Sequence, residues 1–248
     1  MSEPEVTEVT GVARLGTIVS IWAHPDDETY LCGGIMAAAV EAGLRVVCVC
    51  ATEGEHGTDD PSAWPPERLA RVRRWEAAAA MAILGVTEHR WLGYPDGGLA
   101  GLDPDGPVRA LSEILTEVRP DTILTFGEDG MTFHPDHRTV SAWVTRAWQE
   151  AGRPGRVLHA CVTEEHLREW GETYERWGVF MTQERPRGVP AAELAVRLRL
   201  EGAALDRKIA ALAAMHTQTA RAMALLGERD YRWNNAEESF VAADFSRR

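Results

Sequence analysis

The sequence predicts an α/β fold with a mostly parallel sheet and helices on both of its faces, three layers in all. Three observations carry that expectation. Short apolar runs rich in β-branched residues recur along the chain, as strands buried on both faces require. Between them lie stretches with apolar residues at three- and four-residue spacing, the mark of amphipathic helices. The loops richest in Gly, Pro and Asp follow strand candidates, which puts them at the carboxyl edge of the sheet, where open α/β folds bind ligands. The expected architecture is therefore Rossmann-like, with its site at the carboxyl ends of the strands.

In chain order, the acidic and polar opening MSEPEVTEVTG marks residues 1–15 as a flexible lead-in. TIVSIWA (17–23), RVVCVCAT (45–52) and DTILTFG (121–127) read as buried parallel strands. HRWLGY (89–94) and RVLHACVT (156–163) are weaker strand candidates. Helices are expected over about 26–42, 66–84, 107–118 and 136–151. The loops TEGEHGTDDPSAWPP (52–66) and YPDGGLAGLDPDGP (94–107) follow strands. Pro, Gly and Trp leave 166–190 without a clean period, and a long helix is expected from about Ala191 to Leu226 with an interruption at Gly202. No repeat or low-complexity linker divides the chain, so residues 1–248 read as one domain.

The formal net charge of -12, from 38 acidic and 26 basic residues, argues against a nucleic-acid partner, and no basic patch interleaved with aromatics appears. A small neutral or amine-bearing molecule suits this balance better than a polyanion. No apolar stretch has the length of a bilayer span, and the opening lacks the basic and apolar parts of a signal peptide. A cytoplasmic protein without integral membrane association is the expectation. Cys32, Cys48, Cys50 and Cys161 form no CxxC pair and fit buried, reduced thiols. The oligomeric state stays open, a homo-oligomer included.

Two junctions concentrate the chemistry. His24-Pro25-Asp26-Asp27 stands where the first strand turns into a helix, and Pro25 suits the first helical position. His24 and Asp27, three residues apart, can face the same way. His134-Pro135-Asp136-His137 repeats the arrangement behind a later strand. A single such junction is ordinarily an N-cap with an aspartate on the helix dipole. Two of them, both at carboxyl ends of parallel strands, point instead to two imidazoles and a carboxylate around Zn²⁺, with a fourth position left to water. Zinc would bring that water's pKa to about 7 and polarise a carbonyl, and Asp26 could take the water's proton. Spacing alone leaves open which of His134 and His137 binds metal and which assists. No G-x-G-x-x-G, P-loop, H-E-x-x-H or G-x-S-x-G pattern competes.

At these residues the chain resembles the PIG-L/LmbE-type zinc-dependent N-deacetylases. The likeness rests on Ala23-His24-Pro25-Asp26-Asp27-Glu28 and His134-Pro135-Asp136-His137, with weaker similarity through TEGEHG, VRRWEAAAAMAILGV, LGYPDGGL and DRKIAALAAMHTQ. It implies that His24, Asp27 and His137 hold one Zn²⁺ per chain and that Asp26 is the general base. It also implies that His134 stabilises the oxyanion or protonates the leaving amine, and that Asp136 orients His134. Arg73 and Asp96 match positions that contact the sugar; an Arg73–Glu76 ion pair and a turn aspartate are the plainer readings. Phe133 stands where glycine is frequent in the family, which predicts a bulkier pocket wall. The resemblance implies removal of acetyl from the amine of an N-acetylglucosamine-type conjugate. The rivals are an amidase acting on a larger thiol or natural-product conjugate, and a metal- or sugar-binding module without catalysis.

Overall fold

The computed structural model describes residues 6–245. Its centre is a seven-stranded sheet in the order β3-β2-β1-β4-β5-β7-β6. Strands β1 (Ile18–Trp22), β2 (Val46–Thr52), β3 (Glu88–Tyr94), β4 (Thr122–Phe126) and β5 (Arg156–Ala160) run parallel. Every residue of β1, β2 and β4 is buried, which explains why these strands read as unbroken apolar runs. Helices α1 (Asp27–Glu41) and α2 (Pro66–Leu84) share one face with the later α7. Helices α3 (Asp105–Val118) and α5 (Pro135–Glu150) pack on each other, and the four-residue α4 (Gly130–Phe133) precedes α5. The three-layer α/β expectation therefore holds, with element ends moved by one to three residues.

The second half of the chain departs from the sequence reading. The region without a clean period contains α6 (Glu164–Trp177), capped by the Thr163 hydroxyl, which accepts from His166 N at 3.1 Å. The long helix expected from Ala191 does not form at its start. Val196–Arg199 is instead strand β6, α7 runs over Gly202–Ala214, and α8 over His216–Asn234 after a break at Met215. In VRLRL the apolar residues Val196, Leu198 and Leu200 are all buried while Arg197 and Arg199 point outward, a two-residue period. Ala, Leu, Arg and Glu are good helix formers, but pairing with β7 (Glu237–Ala242) overrides that propensity. β7 runs antiparallel to both β5 and β6.

Residues 1–15 were expected to be flexible, and those from Val6 onward are not loose. Val6 bridges to Val196, and Val9–Leu15 forms a 3-10 helix. Val6, Val12 and Leu15 are fully buried, apolar surface enough to hold this segment against the sheet and α1. Residues 1–5 lie outside the described chain.

Candidate metal centre

Both junctions come together at the carboxyl ends of β1 and β4, which are neighbours in the sheet. After β1 the chain is held by Thr52, whose N–H and hydroxyl both donate to Ala23 O at 3.0 and 2.9 Å. It then turns at His24-Pro25, and the Asp27 carboxylate folds back to accept from His24 N at 2.8 Å. Asp26, the N-cap of α1, has φ 138° and ψ -33°. That is a left-handed-side conformation costing roughly 1–3 kcal/mol for a residue with a Cβ.

Three ligand atoms face one another. His24 Nδ1 lies 3.1 Å from His137 Nε2 and 3.5 Å from Asp27 Oδ2, and His137 Nε2 lies 3.4 Å from Asp27 Oδ1. A tetrahedral zinc with ligands at its usual distances sets them about 3.3–3.5 Å apart. The triangle fits that ion, and each ring's other nitrogen is directed by a partner. His137 Nδ1 is 2.9 Å from Gly130 O, and His24 Nε2 is 3.0 Å from Asp96 Oδ1 and 3.5 Å from Asp136 Oδ2. Gly130 O draws the His137 proton outward, and the two carboxylates beside His24 Nε2, not aligned for a hydrogen bond, favour a proton on that nitrogen, which leaves the lone pairs of His24 Nδ1 and His137 Nε2 inward, as in the outer shell of metal-binding histidines. His134 stays close by, its ring 4.8 Å from that of His24 and 4.9 Å from that of His137.

The electrostatics agree. Burial pushes the Asp26 carboxyl up to about 6, with Arg73 opposing and Asp27 reinforcing. Burial would raise Asp27 as well, but His137 and His24 outweigh it and hold it at about 2. His137 is lowered to about 4, chiefly by burial. His24 moves up in spite of its burial, because Asp136, Asp27 and Asp96 surround it.

The remaining candidates have been brought to the same corner in unexpected ways. Arg73 is buried, donates to Gly54 O at 2.7 Å and Pro25 O at 2.5 Å, and lies 3.5 Å from Asp26. It does not pair with Glu76, whose carboxylate accepts from Thr217 N and Oγ1 at 2.9 and 2.5 Å. Gly54 has φ 65°, and a Cβ there would run into the Arg73 guanidinium. Asp96 is more than a turn residue: it touches His24 and accepts from His56 N at 2.9 Å. The Asp136 carboxylate does not reach His134; it accepts from Gly97 N and Leu99 N at 2.7 and 3.1 Å. Only the Asp136 backbone N–H meets His134, donating to Nδ1 at 3.1 Å. That bond assigns the proton of a neutral His134 ring to Nε2.

Phe133 does not form the pocket wall expected of it. It has φ 62°, the conformation that glycine adopts freely, and its buried ring lies under Arg138. Sequence reasoning gave no role to Glu28, which is fully buried and accepts from Asp26 N at 3.1 Å; its place in the acidic block was the available signal. His89 Nε2 lies 3.4 Å from Cys50 Sγ. The described cysteines are all free thiols.

Comparison with known proteins agrees with this geometry. Residues 19–148 match the family described as PIG-L, GlcNAc-PI de-N-acetylase. One relative is a 1D-myo-inositol 2-acetamido-2-deoxy-alpha-D-glucopyranoside deacetylase from Acidothermus cellulolyticus, 33% identical over 82% of this chain and 80% of its own. A second protein of that name (deacetylase 2), from Catenulispora acidiphila, is 36% identical over 57% of this chain and 54% of its own. The chain thus spans about half the length of some of its curated relatives and four fifths of another. The crystal structure of the conserved protein TT1542 from Thermus thermophilus superposes with a TM-score of 0.63 and 26% identity, covering 92% of this chain and 94% of that one. On its fold, its paired His-Pro-Asp blocks and these matches, the chain belongs to the PIG-L family of de-N-acetylases.

Proposed function

We propose that this chain is a zinc-dependent N-deacetylase that hydrolyses the acetamide of an N-acetylglucosamine-type conjugate. The observation that carries the reading is the inward-facing triangle of His24 Nδ1, Asp27 and His137 Nε2, with sides of 3.1 to 3.5 Å. One Zn²⁺ held by these residues would lower the pKa of a coordinated water to about 7 and polarise the amide carbonyl.

The chain's own groups do the rest. Asp26 accepts the proton of the attacking water, and Arg73 holds Asp26 and the Gly54 loop in register. The Nε2–H of His134 donates a hydrogen bond to the oxyanion, and the proton that Asp26 took from the water passes to the leaving amine, which returns Asp26 to its carboxylate and gives acetate and a free amine. Asp96 and Asp136 stand beside the ring of His24, and Asp96 is the carboxylate assigned here to a sugar hydroxyl. The strained backbone of Asp26 favours this reading over a binding module, since a site that only holds metal has no use for a base in that conformation. No described helix is long and apolar enough to cross a membrane, and the free thiols of Cys32, Cys48, Cys50 and Cys161 suit a reducing compartment, the cytoplasm in this reading.

The test is acetate release by zinc-loaded protein from a panel of N-acetylglucosamine conjugates, the inositol-linked one included. Release from any member supports the reading. A protein that binds zinc stoichiometrically and releases acetate from none of them would overturn it.

A further inference from the structure

The chemistry above leaves a second cluster of ligand-type side chains unused. Cys48 and Cys50 lie two residues apart on β2, so both point to the same side of the sheet. His89 of β3 is the register partner of Cys48 and joins them on that side. The two sulfurs and a ring nitrogen of His89 all lie within 4.8 Å of one another. The closest approach is His89 Nε2 to Cys50 Sγ, at 3.4 Å. Helices α1 and α2 cover the cluster. Cys50 Sγ is 3.9 Å from Glu28 Oε2 and 4.0 Å from His24 O, and the His89 ring lies 4.5 Å from that of Trp91, over which Arg74 sits. The opposite side of β2 carries Val47, Val49 and Ala51, as a plain core would. Both cysteines are fully buried, whereas His89 is half-buried on the edge strand of the sheet, which gives an entry path from solvent.

We propose that Cys48, Cys50 and His89 form a second cation site, one for a soft divalent metal, separate from the centre of His24, Asp27 and His137. Two sulfurs and a nitrogen on a tetrahedral zinc-sized ion sit about 3.6–3.8 Å apart. Closing the widest gap takes about 1 Å, within reach of cysteine side chains that each turn about a single bond. On binding, both thiols release their protons to solvent, and two thiolates with a divalent cation make a neutral centre. A monovalent ion would leave net negative charge in a buried place beside Glu28, which disfavours it. Sulfur donors select thiophilic ions, and the first centre, built of nitrogen and oxygen, offers none. The bound ion would tie the edge strand β3 to β2. The site does not depend on the deacetylase reading.

The probe is Cd²⁺, titrated into the zinc-loaded chain under a phosphine reductant that brings no thiol of its own. Sulfur-to-cadmium charge transfer absorbs in the ultraviolet, and cadmium in the first centre is silent there because that centre lacks sulfur. The expected result is a band that saturates at about one Cd²⁺ per chain. Cys48→Ala should remove most of the band, and His89→Gln should weaken cadmium binding at least about tenfold. Cys161→Ala, which removes a thiol outside the cluster, should leave the band as it is. Cadmium should also raise the unfolding temperature of the parent chain, because it binds the folded form. Absence of the band overturns the proposal, and so does a band that survives Cys48→Ala or disappears with Cys161→Ala. A fall in unfolding temperature would show capture by thiols of the unfolded chain and overturn it equally. Where Cys48→Ala does not fold, His89→Gln on the half-buried edge strand decides: unchanged affinity there overturns the site. Acetate release, measured separately, tests the first centre whichever way cadmium behaves.

Discussion

Two buried clusters of charge sit on either side of the first turn of α1, and they are built on opposite principles. In one, Lys208 and Glu238 are both fully buried, and every strong donor or acceptor meets a protein partner. Lys208 Nζ donates to Glu238 Oε1 at 2.8 Å and to Tyr30 O at 2.7 Å. Glu238 also accepts from Gly34 N and Ile35 N at 2.7 and 2.8 Å. Those two N–H groups are in need of acceptors because α1 leaves helical geometry at Cys32, φ -146° and ψ 19°. In the other cluster, His24, Asp27 and His137 turn their acceptors towards one another. A closed cluster is a structural device, since its charges are satisfied without any guest. An open one is a place for a guest, the zinc proposed above.

The contrast breaks most sharply at Asp26. Asp26→Asn should lower turnover by about 10²- to 10⁴-fold while zinc content by metal analysis stays at one per chain. Equal loss of metal would make Asp26 a ligand and dissolve the division between base and ligands. The closed cluster should respond in stability instead of turnover. Glu238→Ala strands the Lys208 ammonium and two backbone donors, so unfolding by denaturant should show a loss of about 3–5 kcal/mol. Zinc affinity of the surviving folded fraction should not change; a matching loss of zinc affinity would mean that the two clusters are one unit.

A smaller effect sharpens the open cluster's outer layer. Asp96→Asn, which weakens the hold on His24 Nε2, should reduce zinc affinity about 10- to 100-fold in a chelator competition. An unchanged affinity would confine Asp96 to the substrate. The smallest effect belongs to the surface. Arg45 bonds Glu88 at 2.7 and 2.8 Å at the sheet edge, yet Arg45→Ala should leave the melting temperature where it is, because water screens the pair. A clear drop there would show that exposed pairs in this fold matter as buried ones do.

The two clusters also differ in how much of them can be read from the chain. His24, Asp26, Asp27, His134 and His137 are legible because each group lies within four residues at a helix start, where local spacing alone puts its members side by side. Lys208 and Glu238 are thirty residues apart and meet only because β7 pairs between β5 and β6. The same pairing turned Val196–Arg199, with its helix-forming composition, into a strand. Arg73 and Asp96 were visible as site residues, but not what they touch. Their partners are backbone atoms and rings contributed by other loops.

What the sequence determined by itself is the parallel half of the sheet and the reactive groups at its carboxyl edge. Local periodicity and local spacing encode both, and both survive almost unchanged in the folded chain. The tertiary structure alone decided the antiparallel edge, the tautomers of the site histidines, the raised Asp26 carboxyl and the approach of His89 to Cys50. Each of these depends on contacts between groups tens of residues apart. Burial and pairing energies come from three-dimensional neighbours, and no local pattern in the chain records who those neighbours are.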